Sequence, residues 1–142
     1  PTPVMQTLAT LIIDGILERH PQLMFGVIEQ GASWLPGWMR YLDSAHAAFV
    51  KMEERLQALS LQPSAYVRRQ IRATPYPAED VGWILREAGP EIPLFSSDYP
   101  HVEGGRNPVK RFETTLGEVS PEQRTGFYRR NFESLMGSAL SD

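Results

Sequence analysis

The sequence predicts an α/β fold built on parallel strands, and three observations predict it. Short apolar runs alternate along the chain with segments whose apolar residues fall at helical spacing. The run Leu23–Ile28 is apolar throughout, as suits a strand buried on both faces. The run at Leu94-Phe95 ends in Ser96-Ser97-Asp98-Tyr99-Pro100-His101, which cannot continue a strand. Pro100 removes a backbone donor and biases Tyr99 to an extended conformation. Asp98 is thereby set at the carboxyl end of a parallel strand, where α/β folds place their chemistry.

The elements follow in order. From Pro3 to Glu18, Met5, Leu8, Ile12 and Ile16 recur at helical spacing with Leu11 alongside, and His20-Pro21 closes the helix. The strand Leu23–Ile28 stops at Glu29-Gln30-Gly31. Ser33 is placed to cap a long helix over 34–59, with Trp34, Trp38, Leu42, Phe49, Met52, Leu56 and Leu59 on one stripe and Pro36 in its first turn. A helical turn starts at Pro63-Ser64, and residues 70–73 form a short strand. The loop Thr74-Pro75-Tyr76-Pro77 leads into a helix opened by Pro77 that buries Val81, Ile84, Leu85 and Ala88 and stops at Gly89-Pro90. A strand over 92–96, a polar loop over 102–107 and a short helix over 108–115 come next. Ser120-Pro121-Glu122-Gln123 has the make-up of a capping box. A short helix over 131–136 ends at Gly137.

Alternating strands and helices imply parallel pairing through right-handed crossovers. About three strands are credible, whereas a closed (β/α)8 barrel needs roughly 200 residues or more. The 142-residue chain therefore reads as a consecutive slice of such a barrel. It opens Pro1-Thr2-Pro3 without Met, as expected of a processed chain or a piece of a longer one.

Composition narrows the function classes. The chain is 42% hydrophobic and 22% charged, an ordinary composition for a soluble domain, and its net charge of −3 argues against nucleic acid or an anionic membrane as partner. No apolar run is long enough to span a bilayer. The N-terminal segment carries Asp14 and Glu18 and has no basic leader, so no signal peptide is expected. The absence of cysteine excludes disulfides and thiolate metal sites and fits a cytoplasmic protein.

Four segments line up together: residues 18–36, Ser64-Ala65-Tyr66-Val67-Arg68-Arg69-Gln70, Leu94 to His101, and Asn131 to Gly137. In that order they resemble the C-terminal part of the amidohydrolase-related family of metal-dependent barrel hydrolases and decarboxylases, which includes aminocarboxymuconate-semialdehyde decarboxylase. The resemblance runs over nearly all of 1–142 but covers only the last strands of the barrel. It implies hydrolysis or non-oxidative decarboxylation of a small carboxylate, aromatic and cyclic acids included, on a divalent metal, with zinc expected. It also implies that Asp98 binds the metal or polarises what lies on it. The chemistry agrees: a carboxylate is a hard ligand and can accept a proton from water. The competing role for Asp98 is an Asx-turn cap of its own loop.

Two features depart from the family pattern. Relatives carry a histidine in a His-Gly-Gly-like turn where this chain has Glu29-Gln30-Gly31. Glu29 can replace it as acid, base or substrate-orienting group, or it can be a buried acid paired with an arginine. The His-x-His of the first barrel strand and a mid-barrel histidine ligand have no counterpart. Of the three histidines, His20 and His46 suit structural roles, while His101 can line the pocket. A catalytic zinc takes three protein ligands, so the chain alone is expected to be inactive. Arg68, Arg69 and Arg72 offer a basic cluster that can receive a substrate carboxylate or pair with Glu29 or Asp98. The expected partners are a small-molecule substrate and further copies of the chain, because unpaired strand edges favour homo-oligomers. The alternative is a non-enzymatic module that binds a partner through the helix over 34–59.

Overall fold

A computed structural model describes residues 1–102 and 105–140, and part of the loop expected over 102–107 lies outside them. Helix α1 (Thr2–Ile13) is followed by α2 (Ile16–Arg19) rather than continuing into it. Gly15, at φ +70, breaks the helix and shifts its register, so Leu17 is buried in place of Ile16. Strand β1 (Phe25–Val27) pairs in parallel with β2 (Ile71–Ala73), Phe25 opposite Ile71 and Val27 opposite Ala73.

Between the strands lie α3 (Leu35–Phe49), α4 (Glu54–Gln57) and α5 (Pro63–Gln70). The single helix expected over 34–59 is therefore two. Past Leu42 the face of α3 leaves the core: Phe49 is 51% exposed and Met52, beyond the helix, 72%. Glu53 adopts an extended backbone, which turns Leu56 back into the interior. Packing overrides the apolar period there. Ser33 does not cap α3; the N–H groups of Ala32 and Ser33 donate to the Glu79 carboxylate instead.

Helix α6 (Val81–Glu87) starts four residues after Pro77, because Asp80 is its N-cap and accepts from the Trp83 N–H at 2.8 Å. The strand expected over 92–96 shrinks to one parallel bridge, Ala73 opposite Pro93, so two strands and a bridge stand where about three strands were expected. Donors run out on both sides of the bridge. Pro75 has no N–H, the Thr74 N–H goes to Val27, and the Phe95 N–H donates to the Phe127 carbonyl at 2.9 Å. That carbonyl lies in a π-helical turn, Gly126–Arg130, between α8 (Pro121–Thr125) and α9 (Asn131–Met136). Helix α7 (Pro108–Leu116) precedes them, and the capping box at Ser120 and Gln123 forms with both of its hydrogen bonds.

The main core joins Leu8, Ile12, Leu35, Tyr66, Ile71 and Ile84 around the sheet. A second cluster joins Val81, Leu85, Phe112, Leu116 and Phe127, with Phe95 stacking edge-on against Phe112 at 5.5 Å. The side chain of Asn131 connects helix and bridge by donating to the carbonyls of Pro90 and Pro93 at 2.8 and 2.7 Å. The segment that carries Asp98 is thereby fastened at its root by the C-terminal helices.

Candidate metal centre

Both strands and the bridge deliver a polar residue just beyond their carboxyl ends: Glu29 after β1, Thr74 after β2 and Asp98 after the bridge. Parallel pairing makes this a single cluster. Glu29, Asp98 and His101 place one ligand atom each within 4.8 Å of one another. His101 Nδ1 stands 3.7 Å from Glu29 Oε1 and 3.7 Å from Asp98 Oδ1. Both separations are too long for a hydrogen bond. The Asp98 side chain is 16% exposed, against 57% for Glu29 and 56% for His101.

Local backbone aims these groups. Glu29 and Asp98 have φ of +59° and +54°, left-handed values uncommon for residues with a Cβ. Such strain persists only where the surroundings impose it. At Asp98 the imposing contacts are its own N–H to Ser96 Oγ at 3.3 Å and the His101 N–H to its carbonyl at 2.8 Å. The Tyr99–Pro100 peptide is cis. At Glu29 the N–H donates to Thr74 Oγ1 at 3.2 Å, and the carbonyl accepts from the Tyr76 hydroxyl at 2.7 Å.

Two carboxylate oxygens and an imidazole nitrogen on a partly open cluster form a donor set that a divalent cation accepts. The hollow beside it, lined by Glu29, Thr74, Pro75, Tyr76, Pro77, Ser96 and Asp98, measures about 10 Å³, room for roughly one water. A substrate therefore needs walls beyond these residues. The apolar hollow of about 330 Å³ between α1, α3, α4 and α5 contains none of the three.

All three expected site residues thus come together. The arginines do not join them. Arg68 donates to the Ala88 carbonyl, Arg69 to the Leu17 carbonyl, and Arg72 to the carbonyls of Arg68 and Ile71 and to Ser134 Oγ. Burial lowers the Arg72 pKa from its ordinary value, with Glu91 partly offsetting it. Trp34 closes the loop after β1 with an indole N–H to the Gly31 carbonyl at 3.0 Å and packs edge-on against Trp38. Sequence reasoning missed Thr74, Tyr76 and Glu79. For Thr74 the signal was position, since it follows a strand end as Glu29 and Asp98 do; Tyr76 and Glu79 carried none.

The chain matches the family model described as amidohydrolase over residues 2–135. Among solved structures it is similar to an amidohydrolase from Mycobacterium avium subsp. paratuberculosis K-10 at 28% identity and a TM-score of 0.80, covering 94% of this chain and 33% of that one. A 5-carboxyvanillate decarboxylase from Sphingomonas paucimobilis aligns at 24% identity and a TM-score of 0.67 over 89% of this chain and 37% of its own. The 5-carboxyvanillate decarboxylase of Novosphingobium aromaticivorans DSM 12444, complexed with manganese and 4-hydroxy-3-methoxy-5-nitrobenzoic acid, aligns at 23% identity and a TM-score of 0.68 over 92% of this chain and 38% of its own. No curated protein matches. The chain thus spans between 33% and 38% of the length of each of these three structures.

Proposed function

The chain belongs to the amidohydrolase family, and on that premise we propose that residues 1–142 form the C-terminal slice of a (β/α)8 barrel enzyme. In this reading the enzyme hydrolyses or non-oxidatively decarboxylates a small carboxylate on a divalent cation, zinc first. The observation that carries the reading is the convergence of Glu29, Asp98 and His101 beyond neighbouring parallel strand ends. The substrate class rests on the family resemblance. The 5-carboxyvanillate decarboxylases support the fold, and a fold alone does not carry a substrate.

Each residue has a role its position suits. The three side chains would hold the cation, which supplies Lewis-acid polarisation when bound. Asp98, the most enclosed of them, also accepts a proton at Oδ1 or Oδ2 from the attacking or departing group. His101, free of hydrogen bonds to either acid at 3.7 Å, can donate one or orient the substrate. Glu29, more than half exposed, faces the side from which substrate arrives. The hollow of about 10 Å³ beside the cluster leaves a substrate without walls, which makes the isolated chain inactive in this reading.

β1 pairs only with β2 among the described residues, and Leu23 and Ile28 beside it are 42% and 49% exposed. We therefore expect the isolated chain to self-associate through that edge. No helix among the described residues is long and apolar enough to cross a membrane. A cytoplasmic location remains the proposal that the lack of cysteine supports. The competing partner-binding reading rests on a helix that ends at Phe49. In the full-length enzyme, Asp98→Asn should lower turnover of small carboxylates by about 10²-fold or more. Near-normal turnover would sink the assignment.

A further inference from the structure

The cluster does not hold itself in place. Both contacts that impose the left-handed turn on Glu29 come from the loop after β2, through Thr74 Oγ1 and the Tyr76 hydroxyl. Glu79 ties that loop to the turn. Its carboxylate accepts from the N–H groups of Ala32 at 3.0 Å and Ser33 at 2.8 Å on one side, and from the Tyr76 N–H at 2.7 Å on the other. Hydrogen bonds to an ionised carboxylate are the strong kind. The fit is close: a Cβ on Gly31 would sit 3.0 Å from Glu79 Oε1 and 3.0 Å from the Tyr76 ring.

We propose that Glu79 is a positioning residue of the metal centre, bracing the loop after β1 against the loop after β2 so that Glu29 is presented to Asp98 and His101. The inference rests on the metal-centre reading above. Glu79 does not belong to the ligand cluster itself; it acts through Tyr76 and the turn at Gly31. A residue that merely capped α3 would support stability and leave the cluster's affinity unchanged.

The test is calorimetric titration of the chain with Mn²⁺, alongside thermal melts. Glu79→Gln keeps the length of the side chain but aims an NH2 where N–H groups now point. It should weaken Mn²⁺ binding about tenfold, the low end for residues that support metal ligands. Tyr76→Phe, which removes only the bond to the Glu29 carbonyl, should weaken it in the same direction. The two effects together should fall short of additive, because they act through one brace. Ser120→Ala, which removes a cap whose hydrogen bonds stay within its own turn, should lower stability and leave Mn²⁺ affinity unchanged.

Glu79→Gln binding Mn²⁺ as the unaltered chain does would overturn the proposal, as would an equal loss in Ser120→Ala. If Glu79→Gln does not fold, Tyr76→Phe decides: unchanged affinity there overturns it. Absence of Mn²⁺ binding by the unaltered chain would remove the metal centre itself and this inference with it, an outcome distinct from loss of the Glu79 effect alone.

Discussion

Asn131→Leu tests whether the C-terminal helices hold the strand end that carries Asp98. Leucine keeps the branched heavy-atom skeleton of asparagine, with bulkier methyl ends, but removes the two N–H groups that reach the carbonyls of Pro90 and Pro93. The two losses differ in size. The Pro93 bond is buried, so its carbonyl is left without a partner at about 1–3 kcal/mol. The Pro90 bond is only partly buried and its carbonyl borders an open hollow, so water can replace the donor and only the net worth of a bond, about 1 kcal/mol, is lost. The sum is about 2–4 kcal/mol. With a urea slope of roughly 2 kcal/mol per M, the midpoint should fall by about 1–2 M with the slope unchanged. A shift under roughly 0.3 M would refute the claim that Asn131 anchors this segment.

Four further outcomes follow from the geometry. Asp98→Asn should melt within a degree or two of the unaltered chain, because asparagine tolerates the φ of +54°, whereas Asp98→Ala should lose about 1 kcal/mol more in the same melts. Glu29→Gly, at φ +59°, should melt no lower than the parent by differential scanning fluorimetry while weakening Mn²⁺ binding, since glycine removes the strain along with the ligand. Gly82→Ala would bring a Cβ to 2.4 Å from the Leu116 carbonyl, forcing α6 and α7 apart at about 1–3 kcal/mol in urea denaturation. The hydrogen bond from Tyr66 holds the Glu18 carboxyl below its ordinary pKa, while burial and then Glu18 push Tyr66 above its own. The Glu18 contribution is present above its unfolded pKa and fades as pH falls below it. The Tyr66 contribution is present below pH ~10 and fades as pH rises beyond it. Tyr66→Phe should therefore flatten both arms of a stability–pH profile.

Local chemistry made much of the fold legible. The strand cores at Phe25 and Ile71, the caps at Ser120 and Gly89-Pro90, and the strand-end position of Asp98 could be read because one or two residues decide each. What could not be read depends on long-range competition. The helix over 34–59 carries an unbroken apolar stripe, and only the position of the core shows that Phe49 is left half exposed. The strand over 92–96 is short because Phe95 finds its partner in a π-helical turn about thirty residues later. Ser33 looked like a cap, but α3 has no side-chain cap, and the Ser33 N–H donates instead to Glu79, 46 positions on. At the site, Asp98, Glu29 and His101 were named from residue type and strand ends, and Thr74, Tyr76 and Glu79 were not. Supporting residues carry no chemical signature of their own; they are recognised by which atoms they hold.

Whether Glu29, Asp98 and His101 form one cation site is decided by titrating the ¹⁵N-labelled chain with Mn²⁺ and following paramagnetic broadening of backbone amide signals. Early, saturable broadening should be strongest at the amides of residues 28–31, 74–76 and 97–102, fall off with distance from them, and be lost in Asp98→Asn. Broadening spread evenly over the exposed acids, such as Glu53 and Glu122, and unchanged in Asp98→Asn, would contradict a single cation site.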